Sequence, residues 1–281
     1  MRGMKKIIIT TCVAIWSVAA AAGAWANDWY QEGERVAYDI RWLALKAGEA
    51  ELMFAPDHDN NTYTVVGRAW TSGTLNSFVR IYDRLRVEGT LPDFLPKNYH
   101  LQLNENDYKA NKRVAYNHVS QTAVYENIQG KEKPRTYDID EQARDMLSSL
   151  LYLRKTVDEV DIGKTYTLPV FELDKGATME LEVQTVDTIK IPLGKMKALR
   201  IHPVLKQEVQ KPKGKWHIWV TNDERFIPVQ IKVDLPLGSF IARAKKIGTL
   251  ETDSFAPPSL PTNGDIQVPA AGAAHANPVN F

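Results

Sequence analysis

The chain has 281 residues, 44% hydrophobic and 25% charged, and a formal net charge of +1. That length is enough to bury a sizeable core. Three positive charges, Arg2, Lys5 and Lys6, lie at the extreme N-terminus; without them 32 basic residues face 34 acidic ones. No clustered run of Lys and Arg appears along the chain, so the composition argues against nucleic acid as a partner.

The N-terminus reads as an export signal. A basic start is followed by the uncharged, apolar or small segment Ile7 to Gly23, and Ala24-Trp25-Ala26 fits small-x-small cleavage after Ala26. The competing reading is an uncleaved anchor, but the run is rich in small residues and ends at the cleavage motif. The single cysteine, Cys12, lies inside this signal and too early for lipidation. The mature chain is therefore expected to lack disulfides, thiolate metal ligands and a cysteine nucleophile. It contains no later apolar stretch of transmembrane length. The expected organisation is a signal over residues 1–26, one β-rich domain over 27–252 and a disordered Pro/Ala/Gly-rich tail over 253–281. The expected location is the periplasm.

From Glu34 onward, short alternating runs are separated by turn residues. Val36–Trp42 and Glu49–Phe54, around a turn at Lys46-Ala47-Gly48, predict a hairpin. Leu75, Phe78, Val79 and Tyr82 have i, i+3, i+4, i+7 spacing and predict a short amphipathic helix. Strands are predicted at Thr62–Trp70, Asp83–Gly89, Asn98–Asn104, Lys112–Asn117 and Thr122–Gln129. A second helix is predicted over Asp140–Lys155, capped by Asp140 and closed by Arg154-Lys155. Its apolar residues are too many for one stripe, which wedges it against or inside the sheet. Further strands are predicted at Thr165–Leu173, Thr178–Ile189, Met196–Pro203, Gly214–Thr221, Phe226–Val233 and Phe240–Leu250. Many short strands at regular spacing predict an all-β barrel or sandwich.

No catalytic constellation stands out. Gly163-Lys164-Thr165 lacks the upstream glycine of a phosphate loop, since Asp158 holds that position, and reads as a turn. The six histidines show no zinc spacing. His202 and His217 lie on predicted strands without a nucleophile beside them. Asp223-Glu224-Arg225 reads as a solvated turn rather than an acid–base pair. No cofactor is expected. Tyr38, Trp42, Phe54, Trp70, Trp216 and Trp219 fall on predicted strands. They form either an aromatic wall for a ligand or simply the core. The chain ends in Phe281, as outer-membrane barrels often end in an aromatic residue, but Pro278 breaks the last run and the strands are short and charged for a lipid-facing band.

Four motifs carry a family resemblance. They are Val36–Trp42 with Lys46–Ala50, Asp145–Arg154, Ile191–Gly194 with Lys197–Arg200, and Trp219–Val229 with Leu237-Gly238-Ser239. Together they resemble the bacterial family catalogued as domain of unknown function 3108. The resemblance implies an exported, β-rich envelope protein with no assigned activity and no site residues to transfer. A looser likeness, to periplasmic envelope-integrity proteins, implies an antiparallel open β-barrel or β-spiral of roughly a dozen strands, with one or two helices packed against or plugging it. The function expected is non-enzymatic envelope maintenance, through binding a lipid, a glycan or an envelope protein. The alternatives are an envelope glycan or lipid hydrolase and a structural partner docking by a sheet edge.

Overall fold

The computed structural model describes residues 29–43, 45–156, 162–206, 214–236 and 238–250. The expected signal, its cleavage point at Ala26 and the Pro-rich tail lie outside these residues.

A single 3-10 turn at Trp29–Gln31 leads into strands β1 (Glu34–Trp42), β2 (Leu45–Asp57), β3 (Thr62–Thr71), β4 (Tyr82–Thr90), β5 (Leu95–Glu105), β6 (Tyr108–Asn117), β7 (Thr122–Asn127) and β8 (Arg135–Asp138). One α-helix, α1 (Met146–Thr156), follows. The chain continues through β9 (Thr165–Glu172), β10 (Lys175–Ile191), β11 (Gly194–Lys206), β12 (Lys215–Thr221), β13 (Pro228–Leu235) and β14 (Gly238–Thr249). All fourteen strands form one sheet, in the order β8-β7-β6-β5-β4-β3-β2-β1-β14-β13-β12-β11-β10-β9, with antiparallel pairing throughout. The first and last strands of the described residues, β1 and β14, pair in the middle, and β8 and β9 are left as the edges. The described residues are mainly β, an open barrel-like sheet with one α-helix.

Turn chemistry matches the ladders. The two-residue loop Pro192-Leu193 joins Ile191 to its partner Gly194, whose φ of +121° a side chain would resist. Asn61 and Asn106 take positive φ at hairpin ends, where asparagine tolerates the left-handed region. Pro228 sits at a bulge: Trp219 pairs with Gln230 but Val220 pairs with Pro228.

Two predicted details differ. Lys46-Ala47-Gly48 is not the first turn. It lies within β2, where a bulge lets Ile40 pair with Gly48 and Arg41 with Lys46. Gly48 is needed for close approach, because a Cβ there would stand 2.3 Å from the Trp70 carbonyl oxygen. The helix predicted from Leu75 to Tyr82 is only a short 3-10 segment, Gly73–Ser77. The Thr71 amide bonds to the Ile81 carbonyl and Tyr82 pairs with Trp70, so strand pairing takes the second half of that segment. Phe78 is left 78% exposed.

The core has three clusters. One joins Phe54, Tyr63, Val65, Val87, Tyr99 and Val114 from β2 to β6 with Leu151 of α1. A second joins strands β9 to β12 with Leu153 of α1. A third lies around Val36, Tyr38, Trp219 and Val229 near the β1–β14 junction. Leu151 and Leu153 thus fasten one helix to both halves of the sheet, and α1 is the plug expected of an open barrel. The void left beside Leu153 and Arg154 is about 10 Å³, room for about one water.

Candidate functional site

The interior around the start of α1 holds two carboxylates. Asp145 caps the helix: its Oδ1 accepts from the amides of Leu147 (2.9 Å) and Ser148 (3.1 Å), and its Oδ2 accepts from the Ser148 hydroxyl. The predicted cap, Asp140, instead accepts from the Gln142 amide at 2.7 Å in the preceding turn. The helix starts later because residues 141–145 bridge the open edge of the sheet: the Arg144 amide bonds to Pro169 O and the Phe171 amide to Arg144 O. Glu172 accepts from the Tyr99 hydroxyl at 2.6 Å and from the Met146 amide at 3.1 Å. The Ser148 hydroxyl also meets that of Tyr63 at 2.7 Å.

Burial raises both carboxyls. It lifts Asp145 against the opposing hydrogen bonds from Ser148 and Leu147. It brings Glu172 up to about 7, with the Asp145 charge adding to the effect. A paired set of raised carboxyls is a pattern of acid–base sites. Here Asp145 has no exposed surface, the oxygens of both groups are bonded to the helix start, and Glu172 is bonded also to Tyr99 of β5. The arrangement locks the plug to the wall.

At its other end α1 is held by Arg154. Its guanidinium pairs both Glu34 oxygens, at 3.0 and 2.9 Å, donates to Arg225 O at 2.8 Å, and lies 3.6 Å over the Trp29 ring.

The six predicted aromatic residues do not gather in one wall. Phe54 lies in the β2–β6 cluster, while Tyr38 and Trp219 lie in the cluster at the β1–β14 junction. The Tyr38 hydroxyl donates to Pro228 O, and the Trp219 indole N–H donates to Asp187. Trp42 stacks on Phe240 across the β1–β14 ladder. Trp70 is half-buried opposite Tyr82. Trp216 is exposed. Alternation on a strand marks a face, but it does not show whether that face curls around a void or packs on a helix.

Among the other residues weighed, Asp223 accepts from Thr221 Oγ1 and the Arg225 amide and shapes its turn. Gly163, with φ +93°, turns the chain into β9. His202 and His217 stack with ring centroids 4.8 Å apart, and burial and the neighbouring His202 lower the pKa of His217. Among the described residues, no group of three or more His, Cys, Asp or Glu is placed to hold a metal ion.

A cavity of about 410 Å³ lies on β4 to β7, lined by Arg86, Glu88, Asn98, His100, Arg113 and Glu126 among others. Its polar lining alternates with the core residues Val87, Tyr99 and Val114 and so belongs to the outer face. Register aligns Arg86, His100, Arg113 and Glu126 in one row. The next row runs Glu51, Arg68, Arg84, Gln102, Asn111. Arg68 and Arg84 stand directly opposite each other, an arrangement that costs stability. Burial first, then the charges of Arg68 and Arg86, lower the Arg84 pKa. Burial also lowers that of His100, whose Nε2 lies 2.6 Å from Asn111 Oδ1. These residues escaped sequence reasoning. The chain has no basic run, and the sheet assembles the basic cluster from four strands. The alternation of Arg84-Leu85-Arg86 was its one local trace.

An open antiparallel sheet, plugged by a helix and bridged at its β9 edge by the segment before that helix, defines a β-barrel-like protein of the spiral kind. The chain belongs to the family described as Protein of unknown function (DUF3108), whose model matches residues 37–245. It is similar to the crystal structure of a β-barrel-like protein of domain of unknown function DUF1849 from Brucella abortus. That match has a TM-score of 0.56 and 11% identity and covers 79% of this chain and 99% of that one. A putative exported protein with a YmcC-like fold from Bacteroides fragilis matches at TM-score 0.33 and 10% identity, over 78% and 96% of the two chains. A DUF1089 family protein from Pseudomonas aeruginosa matches at TM-score 0.29 and 5% identity, over 69% and 88%. No curated protein matches the chain.

Proposed function

We propose that this is an exported, non-catalytic binding protein of the bacterial cell envelope that takes its ligand on the outside of the sheet. The observation that carries this reading is the contrast between two spaces: the void beside α1 at Leu153 and Arg154 is about 10 Å³, while the outer face of β4–β7 keeps a cavity of about 410 Å³. Cavities of that size suit a small polar ligand or the head of a larger one. Export rests on the N-terminal sequence, with Arg2, Lys5 and Lys6 before an apolar run and a cleavage motif ending at Ala26. Among the described residues no helix is long and apolar enough to cross a membrane.

Native mass spectrometry of the protein purified from periplasm tests the reading. The expected result is a chain starting at Asn27 with an envelope lipid or glycan attached, lost on organic extraction or glycosidase treatment. A bare chain in every preparation would sink it. Stoichiometric co-purification of one protein would favour docking at the β8 edge, where Arg135 and Thr136 are exposed and the ladder ends.

A further inference from the structure

The outer face carries an uncompensated positive charge at one place. Three consecutive rows of residues on the face opposite the core clusters cross β1 to β8 there, with Ala37, Met53 and Val66 buried among them. They run Ala37-Glu51-Arg68-Arg84-Gln102-Asn111, Arg35-Met53-Val66-Arg86-His100-Arg113-Glu126, and Ala55-Thr64-Glu88-Asn98-Ala115-Val124-Thr136. Five guanidinium groups in these rows face three carboxylates, an excess of two positive charges. Two of the carboxylates are already engaged: Glu51 by Arg35 at 2.6 Å and Glu88 by Arg86 at 2.6 Å. Arg68, Arg84 and Arg113 take part in none of the ion pairs among the described residues. The Arg68 Nε is shut off from solvent with no hydrogen-bond partner among those residues. A buried guanidinium donor without an acceptor is costly, and so is the facing of Arg68 and Arg84. An anion bound over this face offsets the repulsion between Arg68 and Arg84.

We propose that this face is a binding site for a phosphate-bearing ligand, with Arg84 and Arg113 as its principal donors, Arg68 behind them and the cavity beside Arg86 and His100 holding the rest of the molecule. This deepens the reading of an outer-face binding protein and rests on it. A phosphomonoester carries about −1.5 to −2 charges at neutral pH and three acceptor oxygens, which matches the local excess. Guanidinium forks bind such oxygens in pairs. A single carboxylate has two oxygens and one charge, and would leave part of the cluster unpaired. The cavity of about 410 Å³ has room for a sugar or glycerol unit next to the phosphate. Its other polar linings, Asn98, Glu88 and Glu126, are suited to hydroxyl groups.

The test is a calorimetric titration of the full mature chain with glycerol phosphate, paired with flotation on phosphatidylcholine vesicles with and without phosphatidic acid, whose headgroup is a phosphomonoester. Wild-type protein is expected to bind and to weaken as salt is raised. The Arg84→Gln/Arg113→Gln variant should bind roughly tenfold or more weakly. Neither arginine is in an ion pair, and removing Arg84 relieves repulsion, so its melting temperature should not fall. The Arg84→Lys/Arg113→Lys variant keeps the charge but loses the fork, and should recover only part of the affinity. Binding in solution points to a soluble phosphorylated compound, and binding only to phosphatidic acid vesicles points to a lipid headgroup. Absence of both, or equal binding by the Gln variant, overturns the proposal. Purified from periplasm, the Gln variant separates the two claims. If it still carries the component that wild type carries, the phosphate site falls while the outer-face reading stands. If wild type carries nothing, that reading falls first.

Discussion

Glu172 is the residue whose chemistry is most altered by the fold. Its carboxyl sits between the Tyr99 hydroxyl and the Met146 amide, and burial brings its pKa up to about 7. The folded chain therefore holds a proton that the unfolded chain releases near 4.5. The stability from this group is fully present below about pH 4.5 and is lost as pH rises through about 7. Glu172→Gln removes that loss. Relative to wild type, the variant should gain about 2 kcal/mol on going from pH 5 to pH 8, at roughly 1.4 kcal/mol per unit of pKa shift. Urea unfolding of both proteins at the two pH values measures it. Burial shifts His100 and His217 downward in wild type and variant alike, so they cancel in the difference. A difference independent of pH would mean that Glu172 ionises normally. None of this was legible in the sequence, where Glu172 is one polar residue at the end of a strand-like run. Its partners Tyr99 and Met146 are 73 and 26 residues away.

The helix α1 is the element that converts an open sheet into a packed one. The leucines of Asp145–Arg154 were too numerous for a one-sided helix, and the structure gives the reason: Leu151 enters the β2–β6 cluster and Leu153 the β9–β12 cluster. Each truncation to alanine should cost about 2–5 kcal/mol. Because the two side chains share no cluster, the double variant should lose the sum of the single losses within about 0.5 kcal/mol. Chemical denaturation of the three variants decides this, and a large departure from additivity would show that both leucines serve one core. The strand runs were legible because period-two alternation survives wherever one face is buried. The stretch from Leu75 to Tyr82 was not, because its helical spacing competes with a strand pairing set by Trp70 and Ile81. Four-residue β8 was too short for alternation to register at all.

Across the whole molecule the sheet stops short of a closed ladder. Phe171 of β9 meets the far edge through side chains: the Tyr116 hydroxyl donates to its carbonyl at 2.8 Å, and the Tyr116 and Tyr137 rings pack against it. Arg144, fully buried, spans the gap with its backbone on β9 and its guanidinium on Asp93 O, at 3.0 and 2.9 Å. Opening should therefore begin at β8, which pairs with a neighbour on one side only and is largely exposed. In hydrogen exchange, the amides of Arg135–Asp138 should lose protection well before those of β3 to β5. Equal protection of β8 and β4 would mean that the seam is as strong as the ladder.

The sequence by itself determined the β-rich class, most strand positions and the presence of a helix with more than one apolar side. These follow from local rules: alternation and turn chemistry act over a few residues. The tertiary structure decided where the helix sits, which strands form the edges, how the aromatic residues divide between cores and surface, and that scattered arginines meet on one face. Those outcomes depend on register. A shift of one residue in β4 or β6 would turn Arg84 or Arg113 to the other side, and register is set by pairings between segments far apart in the chain.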